Sequence, residues 1–144
     1  MARAVLSLGA NMEDPAGQLA RAVAALRETD GISEVIASTI IVTEPWGVTD
    51  QPQFHNMALA IETTLAPLDL LRACLAIEAQ LGRVRLRRWG PRVIDIDVIA
   101  YDRVVMETPE LTLPHPYAHE RDFVLVPVRE IAPEVADWLV ARRG

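Results

Sequence analysis

The chain has 144 residues, 51% of them apolar, enough for one domain that buries its own core and too hydrophobic for a disordered polymer. Net charge is −6, which argues against a general binder of nucleic acid or anionic membrane, although all 14 basic residues are arginine. One cysteine, Cys74, excludes an intramolecular disulfide framework and a cysteine zinc site, and no apolar run approaches the roughly 18 residues of a membrane span.

Met1-Ala2-Arg3 runs straight into apolar residues without the pattern of a signal peptide, so a cytoplasmic protein is expected. Residues 4–8 predict a short strand that stops at Gly9-Ala10-Asn11. Asp14-Pro15 then predicts a helix start, with aspartate as cap and proline at the first helical position. Leu19, Val23 and Leu26 supply its apolar stripe, and Asp30-Gly31 ends it. Residues 32–43 are rich in β-branched side chains and predict one long strand. A loop over 44–52 carries two prolines and a glycine, and alternation over 54–63 predicts the next strand.

Pro67 opens a second helix through Leu68, Leu71, Leu75 and Leu81, closed by Gly82. An arginine-rich loop follows, then a strand to Tyr101. Residues 102–121 are expected to be irregular, with a short hairpin near Val104-Val105 and a turn at Leu113-Pro114-His115-Pro116. A last short strand is expected over 123–128 and an amphipathic helix over 133–140. The core order is β-α-β-β-α-β in a single domain spanning 1–144. That order is the α+β, ferredoxin-like pattern of an antiparallel sheet backed by helices.

The chemistry concentrates between residues 83 and 97. Ile94, Ile96 and Val98 alternate with Asp95 and Asp97, which places both carboxylates on one face, roughly 6.6 Å apart along the strand. Such acids can simply be the solvated face of an edge strand. Here, however, Arg83, Arg85, Arg87, Arg88 and Arg92 put five arginines within ten residues just upstream, with no acid among them. That run repels itself unless an anion joins it, and guanidinium groups suit bidentate phosphate contacts. Paired carboxylates need a cation, and Mg²⁺ typically arrives with a substrate phosphate. The stretch therefore reads as metal plus phosphate.

Other residues are less specific. Spacing alone assigns Phe54 and Phe123 to the core, as it does Cys74. Asn56 follows Phe54 by two and shares its strand face, where an amide could read the edge of a heterocycle. His115 lies between prolines and reads as a turn residue, while His55 and His119 lack metal-ligand spacing. The Walker phosphate loop, the GxGxxG turn and the GxSxG elbow are all absent.

Taken together, certain segments resemble the 6-hydroxymethyl-7,8-dihydropterin pyrophosphokinase family. They are Ser7-Leu8-Gly9-Ala10-Asn11, Thr43-Glu44-Pro45-Trp46-Gly47, Asp50 through Asn56, Glu78 through Arg85, Arg88-Trp89-Gly90-Pro91-Arg92-Val93-Ile94-Asp95-Ile96-Asp97, Leu113-Pro114-His115-Pro116 and Arg121 through Pro133. The resemblance spans residues 7 to 133 in family order, and its arginine-to-aspartate segment is the most specific part. It implies transfer of pyrophosphate from ATP to the hydroxymethyl group of the dihydropterin in folate biosynthesis, releasing AMP. It also implies two Mg²⁺ ions between Asp95, Asp97 and the triphosphate. The pterin would lie between Phe54 and Phe123, with Asn56 and the Thr43 backbone on its edge. Trp89 and the Pro45-Trp46 loop would close over it. Arg83, Arg92, His115 and Arg121 would meet phosphates, with Arg85 assisting and Glu78 near the nucleotide; Arg83 and Arg92 join the two aspartates as the expected catalytic residues. This likeness, not spacing, moves the two phenylalanines out of the core.

No side chain in these motifs is an obvious general base, so activation of the attacking hydroxyl by metal is expected. The alternative from another class is an RNA-binding module of the same βαββαβ order, but its ring-stacking strand motif is missing and the acidic balance opposes it. A monomer acting on ATP and the pterin, with no nucleic acid or membrane partner, is the expectation.

Overall fold

The computed structural model describes residues 1–12, 14–43, 53–82 and 94–142. Pro45, Trp46, Arg83, Arg85, Trp89 and Arg92 lie outside the described residues.

The chain begins with strand β1 (Ala2–Ala10) and helix α1 (Pro15–Arg27). Asp14 caps the helix by accepting the Gly17 N–H at 3.3 Å, and Pro15 occupies the first turn, as the sequence predicts. Gly31 turns the chain with φ of +89°, a conformation costly for a residue with a Cβ. Strands β2 (Ile32–Ala37), β3 (Ile41–Thr43) and β4 (Phe54–Thr63) follow.

The long strand expected over 32–43 is therefore two strands. Both pair antiparallel with β4, but the ladder is interrupted between Ala37 and Ile41. The buried Ser38 hydroxyl accepts the Ala58 N–H at 2.9 Å and donates to the Thr39 carbonyl at 2.8 Å. Thr39 then gives its N–H and hydroxyl to Glu130, at 2.8 and 2.6 Å. Both bonds favour the charged carboxylate and hold the Glu130 pKa below the usual carboxylate range. Side-chain bonds of this kind replace ladder bonds, a competition that β-propensity does not register.

Helix α2 (Pro67–Gly82) and strand β5 (Asp95–Tyr101) complete the order. In the sheet the strands run β2-β4-β1-β5, all neighbours antiparallel, which is the ferredoxin-like arrangement. A hairpin of β6 (Met106–Glu107) and β7 (Thr112–Leu113) follows, a little beyond Val104-Val105.

Residues 123–128 correct the sequence reading. They belong to helix α3 (Asp122–Ile131), and α4 (Pro133–Ala141) packs beside it. The continuous apolar run suits a buried strand as well as a helix, and its valines favour the former. Burial decides: Val124, Pro127 and Val128 sit at helical spacing and face inward despite the proline. The missing amide of Pro127 costs one helical bond, which packing offsets.

The sheet is thus covered on both faces. On one, Leu6, Leu8, Leu59 and Ile61 pack with Leu19 and Leu26 of α1 and Leu70 and Cys74 of α2. Fully burying each such side chain contributes about 1.5–3 kcal/mol. On the other, Val5, Ala58 and Ile99 meet Val124 and Val128 of α3 and Val135 and Leu139 of α4. That second layer stops short. Among the described residues no helix covers the floor beyond Val5, Ala58 and Ile99, and the candidate site lies there.

Candidate active site

Two cross-strand rows make the floor. In one, Gly9 of β1 stands between Asn56 of β4 and Asp95 of β5; in the next, Ser7 stands between Ala58 and Asp97. Asp95 and Asp97 are exposed, while Ile94, Ile96 and Val98 are buried on the opposite face. The predicted alternation is therefore realised, and both carboxylates line one cavity of about 290 Å³ with Ser7, Gly9, Thr43, Phe54, Asn56, Arg121 and Phe123.

The floor carries its own polar group. Asn56 is only 5% exposed, and its amide nitrogen reaches the Thr43 hydroxyl at 3.5 Å across the β3–β4 pair. Room for that amide depends on Gly9: a Cβ there would stand 2.9 Å from Asn56 Oδ1. Ser7 and Gly9 are the cavity-lining residues that sequence reading missed. Their motif is conspicuous, but only the strand register shows which neighbours they touch.

The walls are aromatic. Phe54, opposite Thr43, is 39% exposed, and Phe123 in the first turn of α3 is 38% exposed. Large rings left this open on a folded surface commonly mark a binding site. Arg121 precedes α3, and its guanidinium lies 5.6 Å from the Tyr117 ring centroid and 5.7 Å from that of Phe123. These contacts aim a permanent cation at the rim of the cavity.

His115 and Glu78 stand outside that cavity, at the outer edge of β5. The His115 N–H donates to the Ile99 carbonyl at 2.9 Å, beside a register shift that leaves Ile99 bulged from the β1 ladder. Burial lowers the His115 pKa; the charge of Asp97 opposes it in part, and Arg121 adds a smaller lowering influence. Its imidazole is then neutral near pH 7. Nδ1 accepts the Tyr117 N–H at 3.2 Å, which leaves Nε2–H as the donor. Glu78 accepts the Ile96 N–H at 2.6 Å. Between α2 and the sheet, Cys74 is buried; burial first, then the charges of Glu78 and Asp97, push its thiol up to about 12, so it packs as a neutral group.

Residues 5–133 match the family model described as 7,8-dihydro-6-hydroxymethylpterin-pyrophosphokinase (HPPK), nearly nine-tenths of the chain. The chain belongs to the HPPK family. A relative in Methylorubrum extorquens, 2-amino-4-hydroxy-6-hydroxymethyldihydropteridine pyrophosphokinase, is 56% identical over 135 residues, covering 94% of this chain and 85% of the relative. The Bacillus subtilis protein of the same name is 43% identical, over 92% of this chain and 79% of its own length. Among solved structures, wild-type Plasmodium falciparum HPPK-DHPS with pteroate superposes with a TM-score of 0.69 at 16% identity. The match covers 92% of this chain and 39% of that longer one, and it carries the HPPK fold alone.

Proposed function

We propose that this cavity is where the chain carries out its family's reaction, the transfer of pyrophosphate from ATP to the hydroxymethyl group of 6-hydroxymethyl-7,8-dihydropterin. One observation carries the assignment. A single cavity holds a buried amide and two exposed phenylalanine rings together with a pair of carboxylates, as joining a flat heterocycle to a metal-bound polyphosphate requires.

Each side chain then has a task. Phe54 and Phe123 stack on the pterin ring, and Asn56, with one acceptor and two donor hydrogens, reads its amide edge beside Thr43. Arg121 and the neutral His115 Nε2–H meet phosphate oxygens, one by charge and one by hydrogen bond. By family likeness, Pro45, Trp46 and Trp89 cover the pterin, Arg83, Arg85 and Arg92 hold the triphosphate, and Glu78 stands toward the nucleotide. All these contacts come from one copy of the chain.

The donor set also suits Mg²⁺. Asp95 and Asp97 offer hard oxygen ligands to the same space, and no cluster of three or more His, Cys, Asp or Glu exists among the described residues. Such a pair would hold Mg²⁺ only in part, leaving positions for triphosphate oxygens and water. Two ions bound there would neutralise the triphosphate and lower the pKa of the attacking hydroxyl. In the transfer, the hydroxymethyl oxygen bonds to the β-phosphorus, and the bond from that phosphorus to the α,β-bridging oxygen breaks. AMP leaves with the bridging oxygen, and the hydroxyl proton passes to solvent. The protein's share is placement and charge, as in other phosphoryl transfers.

Phosphorus NMR of the reaction should show AMP and the pterin diphosphate as first products. ADP as the first nucleotide product would mean attack on the γ-phosphorus and would overturn the reading. A second expectation concerns Gly9. Gly9→Ala forces Asn56 aside and should weaken pterin binding about tenfold, the scale of a lost hydrogen bond, with affinity for an ATP analogue unchanged. Calorimetric titration of each ligand measures both; unchanged pterin affinity would remove Asn56 from the pterin edge.

A further inference from the structure

We infer that Glu78 is a positioning residue for the Asp95–Asp97 pair, acting through the backbone between them; this rests on the reading that the pair holds Mg²⁺. Among the described residues, β5 is the outermost strand of its sheet and pairs only with β1. An edge strand presents amides that no neighbouring strand takes up, and its pleat and twist are free to vary there. Ile96, the residue between the two carboxylates, donates its N–H away from β1 to Glu78 Oε2 at 2.6 Å. A bond to a carboxylate is short and about twice as strong as a neutral one.

The acceptor is itself well anchored. Leu70, Cys74 and Ile77 bury α2 against the sheet, and Glu78 follows directly. Three residues along β5, the His115 N–H holds the same outer edge at Ile99. The edge is thus tied at two points, one of them midway between Asp95 and Asp97. The amide plane at Ile96 sets how the neighbouring Cα–Cβ bonds project, so this tether governs the separation of the two carboxylates. Without it, water takes the Ile96 N–H and the strand can splay.

Mn²⁺ serves as the probe, titrated by electron paramagnetic resonance against the whole protein with a non-hydrolysable ATP analogue held at saturation for each variant, so that a contact of Glu78 with the nucleotide is not read as metal affinity. Glu78→Ala should weaken Mn²⁺ about tenfold, the scale for partners outside the first coordination sphere. It should also speed exchange of the Ile96 amide in the metal-free protein, and leave pterin affinity within about twofold, a difference too small to reflect a lost contact. Glu78→Gln keeps an acceptor oxygen and should restore most of the Mn²⁺ affinity. Unchanged Mn²⁺ affinity in Glu78→Ala, or Glu78→Gln as defective as Glu78→Ala, overturns the inference. Should Glu78→Ala fail to fold, Glu78→Asp decides, because its carboxylate is one methylene short; wild-type affinity there is equally fatal. Asp97→Asn separates the two readings: if it leaves Mn²⁺ affinity intact, the carboxylate pair is not the metal site, whatever Glu78 does.

Discussion

Asp97→Ala and Asp95→Ala should each lower kcat on the order of a thousandfold or more while the protein melts as the wild type does. The kinetic half follows from charge. On the proposed reading each change removes a hard ligand from a site that holds a polyanion, and metal stabilisation of transition-state charge amounts to several kcal/mol, with each ~1.4 kcal/mol a factor of ten. The stability half follows from position. Both side chains are exposed on the sheet face where the α3–α4 layer has ended, and they carry like charges on one strand face. Surface changes of this kind stay within about 0.5 kcal/mol, and relief of repulsion pushes toward stability. Steady-state kinetics and calorimetric melting of the two variants measure both halves. Turnover within tenfold of wild type in both would remove the aspartates from the reaction.

Phe54→Ala combined with Phe123→Ala should abolish measurable pterin binding, again without loss of stability. Stacking between two rings buries both faces of the heterocycle, and each ring contributes about 0.5–1.5 kcal/mol beyond the area it buries. Removing both should weaken binding by about 4 kcal/mol, close to a thousandfold. These rings stand 39% and 38% open to water, so truncating them creates no internal cavity. Equilibrium titration of the pterin against each single variant and the double variant checks this. A double variant that binds within tenfold of wild type would show that the ring lies elsewhere.

Much of this was legible in the residues. The Asp95–Asp97 alternation, the Asp14-Pro15 helix start, the Phe54–Thr63 strand and the Pro67–Gly82 helix follow from local periodicity and capping, and the structure has them where the pattern puts them. What was not legible depends on contacts distant in sequence. Residues 123–128 form a helix because their stripe packs on the sheet, a partner that the run of valines does not announce. The break at Ser38 needs the Ala58 amide and, through Thr39, the Glu130 carboxylate, 20 and 91 residues away from their partners. Phe54 and Phe123 defied spacing for a similar reason. An aromatic at a strand or helix start looks like core until the layer above it is seen to stop.

The alternation in β5 has a further consequence. The same seven-residue strand that presents Asp95 and Asp97 to the cavity buries Ile96 and Val98 in the core. A slip of one position against β1 would drive both carboxylates into hydrocarbon and expel the isoleucine and valine, a penalty of several kcal/mol for each charge. Folding therefore proofreads the proposed active centre: a molecule whose core has closed in its proper order has already placed its two acids, and a molecule that misplaces them does not close. Accuracy that catalysis requires but cannot itself enforce is inherited from the oily side of the strand.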